Sequence, residues 1–293
     1  RIGLRRVFWG VTEFQHLVDI INQSDFVEDV DAEDKLGQPM INFSTVQDWG
    51  IVDLFVMPYF RERTFAGLEG RPRLALPVFV DEARFQSSDE EQHIDYALRW
   101  YNNIDAMDIG VSYFDGTSRD PILLPDYING ELGLVPYYQQ IQQLGIDAQA
   151  TVGDWLLKAE VIRRESNTDD YFASQVGFEY TLVGAFESSA DLGLLMEYGW
   201  DERGTQSTAL FQRDVLVGAR LALNDMASST LLMGISHDLD YQSQSLLVEG
   251  SRRFGDSVVL SLDVRLFSSD EPQDTLYSLR RDDYVQFNME WYF

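Results

Sequence analysis

The strongest constraint on this chain is a two-residue rhythm of apolar and polar side chains, sustained along whole segments and repeated. In 257–267, Val258, Leu260, Leu262, Val264 and Leu266 alternate with Val259, Ser261, Asp263, Arg265 and Phe267. Residues 214–224 set Val215, Val217, Ala219, Leu221 and Leu223 against Leu216, Gly218, Arg220, Ala222 and Asn224. Residues 191–201 oppose Leu192, Leu194, Met196, Tyr198 and Trp200 to Gly193, Leu195, Glu197 and Gly199, and 154–164 repeat the pattern from Trp155 to Arg164. A β-strand sends successive side chains to opposite faces, so each segment is a strand with one apolar face and one that carries charge. Helical spacing explains none of them.

Reading this rhythm along the chain gives 14 candidate strands: roughly 1–9, 38–47, 50–60, 94–102, 105–115, 139–152, 154–165, 170–184, 190–201, 206–224, 228–241, 243–255, 257–269 and 279–293. Most are long for a soluble sheet but suit a tilted membrane strand of at least ~9–11 residues. Short connections alternate with long ones, the longest being 10–37, 61–93 and 116–138. Pro72, Pro77, Pro121, Pro125 and Pro136 predict irregular structure in the last two. Short turns at one end and long loops at the other predict an all-β fold: one antiparallel up-and-down transmembrane β-barrel over 1–293. An exported chain needs a signal sequence, so one is expected before Arg1, with further strands that would bring the count to 16–18.

Composition agrees where it speaks. No stretch of about 18 apolar residues exists, so no helix is expected to span a bilayer. The slightly negative mean hydropathy of -0.21 is compatible with a barrel, in which only alternate residues meet lipid. A net charge of -27 with only two lysines, Lys35 and Lys158, argues against nucleic acid as a partner. With no cysteine, neither a disulfide framework nor a thiolate metal site is available. Asp25, Glu28, Asp29, Asp31, Glu33 and Asp34 form one acidic loop cluster and Asp89, Glu90 and Glu91 another. The first lacks calcium-loop spacing, and no metal ligand or cofactor is assigned.

The last strand is the most specific segment. Val285, Phe287, Met289, Trp291 and Phe293 point one way, and Gln286, Asn288 and Glu290 the other. An apolar period-two strand ending on phenylalanine resembles the C-terminal targeting signal of outer-membrane proteins. That resemblance implies the barrel-assembly machinery as a partner during biogenesis, with outer-membrane lipid and lipopolysaccharide as surroundings in a Gram-negative cell. Aromatics near strand ends, among them Trp9, Trp49, Tyr59, Trp100, Tyr113, Tyr138, Trp155, Trp200 and Trp291, suit interfacial girdles. Strand parity turns Arg99, Lys158, Glu160, Arg164, Glu179, Glu197, Arg220, Arg253, Asp263 and Arg265 toward the pore, as a cross-strand ion-pair lattice or as a charge ladder for solutes.

Arg1-Ile2-Gly3-Leu4-Arg5-Arg6-Val7-Phe8-Trp9-Gly10, Val18-Asp19-Ile20-Ile21-Asn22 and the late strand from Arg213 to Asp225 are similar to segments of large Gram-negative porin-like barrels. The alginate-export porins and related barrels are the nearest group. The resemblance implies passage of a hydrophilic solute through an arginine-rich pore. The inner face read here carries more acids than bases, so no binding residue is carried over. The expected function is therefore a porin or channel. A structural or adhesive barrel is the second reading. A barrel hydrolase is the third and weakest, since His237 follows Ser236 but adjacent strand residues face opposite ways, and His16 and His93 fall in or beside long loops.

Overall fold

A computed structural model describes residues 1–28, 34–67 and 69–293. The acidic residues Asp29, Asp31 and Glu33 lie outside it. The chain is all-β. Its strands are β1 (Ile2–Arg5), β2 (Gln38–Gln47), β3 (Gly50–Met57), β4 (Arg84–Phe85), β5 (Asp95–Ile104), β6 (Met107–Thr117), β7 (Ile122–Ile128), β8 (Glu131–Tyr138) and β9 (Gln140–Val152). Then follow β10 (Trp155–Ser166), β11 (Asp170–Leu182), β12 (Asp191–Asp201), β13 (Asp214–Ala222), β14 (Thr230–Asp238), β15 (Gln244–Phe254), β16 (Val258–Ser268) and β17 (Tyr284–Trp291). Fourteen of them form one antiparallel up-and-down sheet in the order β1-β2-β3-β5-β6-β9-β10-β11-β12-β13-β14-β15-β16-β17. The order runs from β1 at one end to β17 at the other.

Two compact units divide this chain. The first holds 1–149 and 159–175. Here one sheet face carries Met40, Phe55, Met57, Ala97, Phe114, Ile141, Ile162, Tyr171 and Ala173, all buried. They are buried because residues 7–23 leave β1 and lie over them, adding Trp9, Val18, Ile20 and Ile21 to the same cluster. The opposite face is bare: register places Phe43, Leu54, Leu98 and Tyr113 in one row across four strands, all exposed.

The second unit holds 150–158 and 176–293. Its bare face continues over more strands, with Leu194, Met233 and Val285 exposed and Ala219, Val248 and Val264 half-buried. Leu194, Ala219, Met233, Val248, Val264 and Val285 form one continuous cross-strand row. The next outward row is Met196, Val217, Ile235, Leu246 and Leu266. On the other face, one row reads Gly193, Arg220, Leu232, Glu249, Asp263 and Gln286. Period two in the sequence has become two faces of opposite character.

Several expectations need correction. The first strand ends at Arg5 rather than near residue 9, because 6–24 turn away to cover the sheet. Trp9 is therefore 4% exposed and packs edge-on against Phe55 instead of standing in a girdle. Tyr138, also expected near an interface, is fully buried between Phe60 and Phe85. The loops expected to be irregular build a second sheet, β4-β8-β7. Its hairpin turns at Asn129-Gly130, both at positive φ (53° and 88°), which is the turn twist a two-residue hairpin needs. Pro125 lies in the edge strand β7, where a missing N–H blocks further pairing and costs nothing. Pro136 is tolerated in the central strand because of alternation. Leu134, two residues earlier, bonds Pro77 and Phe79, so the Pro136 nitrogen faces that side, between this bridge and β4.

Candidate functional site

In the first unit the site is the sheet face beneath residues 7–23. Strand β10 carries Glu160 to its centre, where it is 0% exposed. A charge so buried must find compensating donors, and the covering segment supplies them. Glu160 Oε1 accepts the N–H groups of Val11 (2.7 Å) and Thr12 (3.1 Å) and the Thr12 hydroxyl (2.7 Å). Its Oε2 accepts the Val18 N–H at 3.2 Å. His16 Nδ1 stands 3.8 Å from Oε1. Nearby, Gln143 donates to the Leu17 carbonyl at 3.2 Å. Gly145 is small enough to admit Val18: an added Cβ would lie 3.5 Å from the valine Cβ and 2.7 Å from Ser112 Oγ.

Arg99 of β5 donates to Asp147 of β9 at 2.8 Å, and its guanidinium lies 5.0 Å from the Trp9 ring. The pair sits over Gly110, where any side chain would collide with both partners. Arg164 of β10 bonds Gln143 (2.8 Å) and Asp120 (3.0 Å), and Arg63 reaches Asp120 from a second loop at 2.6 Å. Asp19 accepts the Trp9 N–H and pairs with Lys35 at 3.2 Å.

The segment's far end is held by Arg119, which is 3% exposed. It donates to the Ile21 carbonyl from both Nε (3.2 Å) and Nη2 (3.1 Å), to the Thr117 carbonyl (2.7 Å) and to Asp95 Oδ2 (2.6 Å). Phe60 and Phe114 flank its guanidinium at 5.2 and 5.0 Å. Asp95 Oδ1 meets the Thr117 N–H and His93 Nδ1, both at 2.9 Å. The hydrogen bond to Asp95 raises the His93 pKa above its usual value, outweighing partial desolvation. The raised value means that this contact stabilises fully below about pH 6.5, the ordinary histidine pKa, and weakens as pH climbs through the folded-state value. We expect His93→Gln to shrink the loss of stability that the parent chain shows above that pH, read from urea unfolding across a pH series. Equal pH slopes in both would refute it.

Two further loop carboxyls, Glu62 and Glu91, share a hydrogen bond. Burial first, then Glu91, push the Glu62 pKa up to about 7. Among the described residues, no group of three or more His, Asp or Glu could hold a metal ion.

In the second unit the charged face is an ion-pair lattice. Arg265 bridges Glu249 (2.7 Å) and Asp263 (2.8 Å), and Arg220 lies 3.7 Å from Glu179. Glycines make the room: a Cβ at Gly193 would strike Glu179, and one at Gly177 would strike Glu197. Lys158 is half-buried, and Arg253 is exposed beside the hairpin to β16. Near the other end of these strands, Gln212 donates to Asp238 and Ser236 bonds Ser245, both at 2.6 Å. On β17, Val285, Phe287, Met289 and Trp291 stand on the bare face, each about two-thirds exposed, followed by an exposed Phe293.

Within the first unit the structure thus joins Arg164 to Gln143 and Arg99 to Asp147, and seats Glu160 against the covering segment. Within the second it brings Arg265 to Asp263 and Arg220 to Glu179. Sequence reasoning missed Arg119, Asp120, Thr12 and the Trp9–Asp19 contact, all in loops with no period to read. His237 stands on the bare face, in register with Val215 and Gln244. No protein-family model, curated protein or solved structure matches the chain.

Proposed function

We propose that this chain is a Gram-negative outer-membrane β-barrel that passes a hydrophilic solute. The observation that carries the reading is the division between faces: apolar side chains stand bare where a soluble sheet would bury them, while charges line the opposite side. Six neighbouring strands of an apolar row span about 24 Å at ~4.8 Å per strand, far beyond a scatter of surface residues. Along β16, Val258 to Leu266 covers about 27 Å at ~3.4 Å per residue. Tilted by ~40°, that is about 20 Å of height, close to the ~25 Å apolar band of membrane barrels. Lipid is the medium in which such a face is stable, and a closed barrel leaves no edge at β1 or β17. The exposed run from Val285 to Phe293 is the segment the barrel-assembly machinery would read.

A polar wall suits water and small polar solutes, and the ion pairs hold its charges in place. The test is single-channel recording of the protein refolded into planar bilayers, with reversal potentials under a salt gradient. Discrete openings are expected. Failure to enter lipid would overturn the membrane reading. Stable insertion without any opening would favour an adhesive or structural barrel.

A further inference from the structure

We propose that residues 7–23 are a releasable plug, latched to the sheet by one wall carboxylate, Glu160, seated in a carboxylate receptor that the plug itself carries. The proposal deepens the reading of the charged face as a passage and rests on it. The receptor consists of the Val11 and Thr12 N–H groups, the Thr12 hydroxyl and the Val18 N–H. They converge on one carboxylate from residues up to seven apart, because the chain bends at Glu13-Phe14 and turns at Leu17-Val18, just after Gly10, whose φ of +138° suits only glycine. A side chain there would also strike Glu160 and His16. Four donors around one anion is the arrangement that recognises a carboxylate.

The wall under the plug argues for release. A wall that stayed covered would gain from apolar residues, since buried charges at best offset their own desolvation. Beside the apolar cluster, this wall keeps Gln143, Asp147 and Glu160 buried beneath the segment. Once the plug leaves, each becomes an ordinary solvated residue of a polar passage. The plug packs Trp9, Val18, Ile20 and Ile21 into the apolar cluster, and its polar contacts include Glu160 near its start, Asp19 to Lys35, Gln143 at Leu17 and Arg119 at Ile21. Loss of the first removes every Glu160 bond to Val11, Thr12 and Val18 and loosens that half.

The chain has no cysteine, so one added thiol is a clean reporter. Val18 is 0% exposed. In vesicle-reconstituted protein, Val18→Cys should react slowly with a maleimide. Adding Glu160→Gln or Glu160→Ala should speed labelling roughly tenfold or more, equivalent to about 1.4 kcal/mol. Formate or acetate should slow it again in the alanine variant, and chloride at equal ionic strength should not. The glutamine variant keeps side-chain volume if the alanine variant fails to fold. Unchanged labelling in the glutamine variant would overturn the latch, and equal effects of formate and chloride would overturn the receptor. Faster labelling with bilayers that stay silent would support the plug while removing the passage reading.

Discussion

Replacing Arg119 with methionine is expected to destabilise the first unit by about 3–5 kcal/mol, the usual cost of leaving one partner of a buried ion pair alone. The guanidinium binds Asp95, Thr117 and Ile21 at once and is packed between two phenylalanine rings. Methionine fills much of the volume and keeps contact with the rings, so the loss isolates charge and hydrogen bonding. Asp95, 0% exposed, would keep His93 and the Thr117 N–H but lose its cation. The Ile21 carbonyl would lose both donors from this arginine. Urea unfolding of the vesicle-reconstituted protein measures the change. A second variant, Arg119→Met with Asp95→Leu, removes the stranded charge and should recover a large part of the loss. If the single variant falls by less than about 1 kcal/mol, typical of exposed pairs, Arg119 is not the clasp described above.

How much of this was legible beforehand depends on the range of the interaction. Strand β16 is written in its own eleven residues, because alternation is a local property of a two-faced strand. The same rule places Glu249, Asp263 and Arg265 on one face before any pairing is known, and the register then makes them neighbours. Glu160 is different. Its placement on the inner face follows from parity, but its partners Val11, Thr12 and Val18 are 142 to 149 residues away. No periodic signal marks 7–23 as a covering segment, and Trp9 reads equally well as an interfacial ring. The β7–β8 hairpin was hidden for another reason. Pro125 and Pro136 argue against a strand in general, yet an edge position and a gap beside the central strand accommodate each of them.

Replacing Val248 with arginine should separate lipid from water as the medium of the bare face. Val248 stands at the middle of β15, between Met233 and Val264, in the apolar row running from Leu194 to Val285. A guanidinium at the midplane of a bilayer costs about 2–4 kcal/mol on a barrel's lipid face. On a water-exposed sheet the same change stays within about 0.5 kcal/mol, because arginine hydrates freely there. Nothing in the apolar row offers the arginine a carboxylate. The control is Gln286→Arg, on the opposite face of β17 and across from Asp263, where the new charge meets water and an acid. Guanidinium unfolding in phosphatidylcholine vesicles, with insertion yield as a second readout, should show the Val248 variant weakened by at least about 2 kcal/mol and poorly inserted. The Gln286 variant should match its parent. Equal, small effects at both positions would mean that the apolar rows face water or a protein partner, and the membrane reading would fail with them.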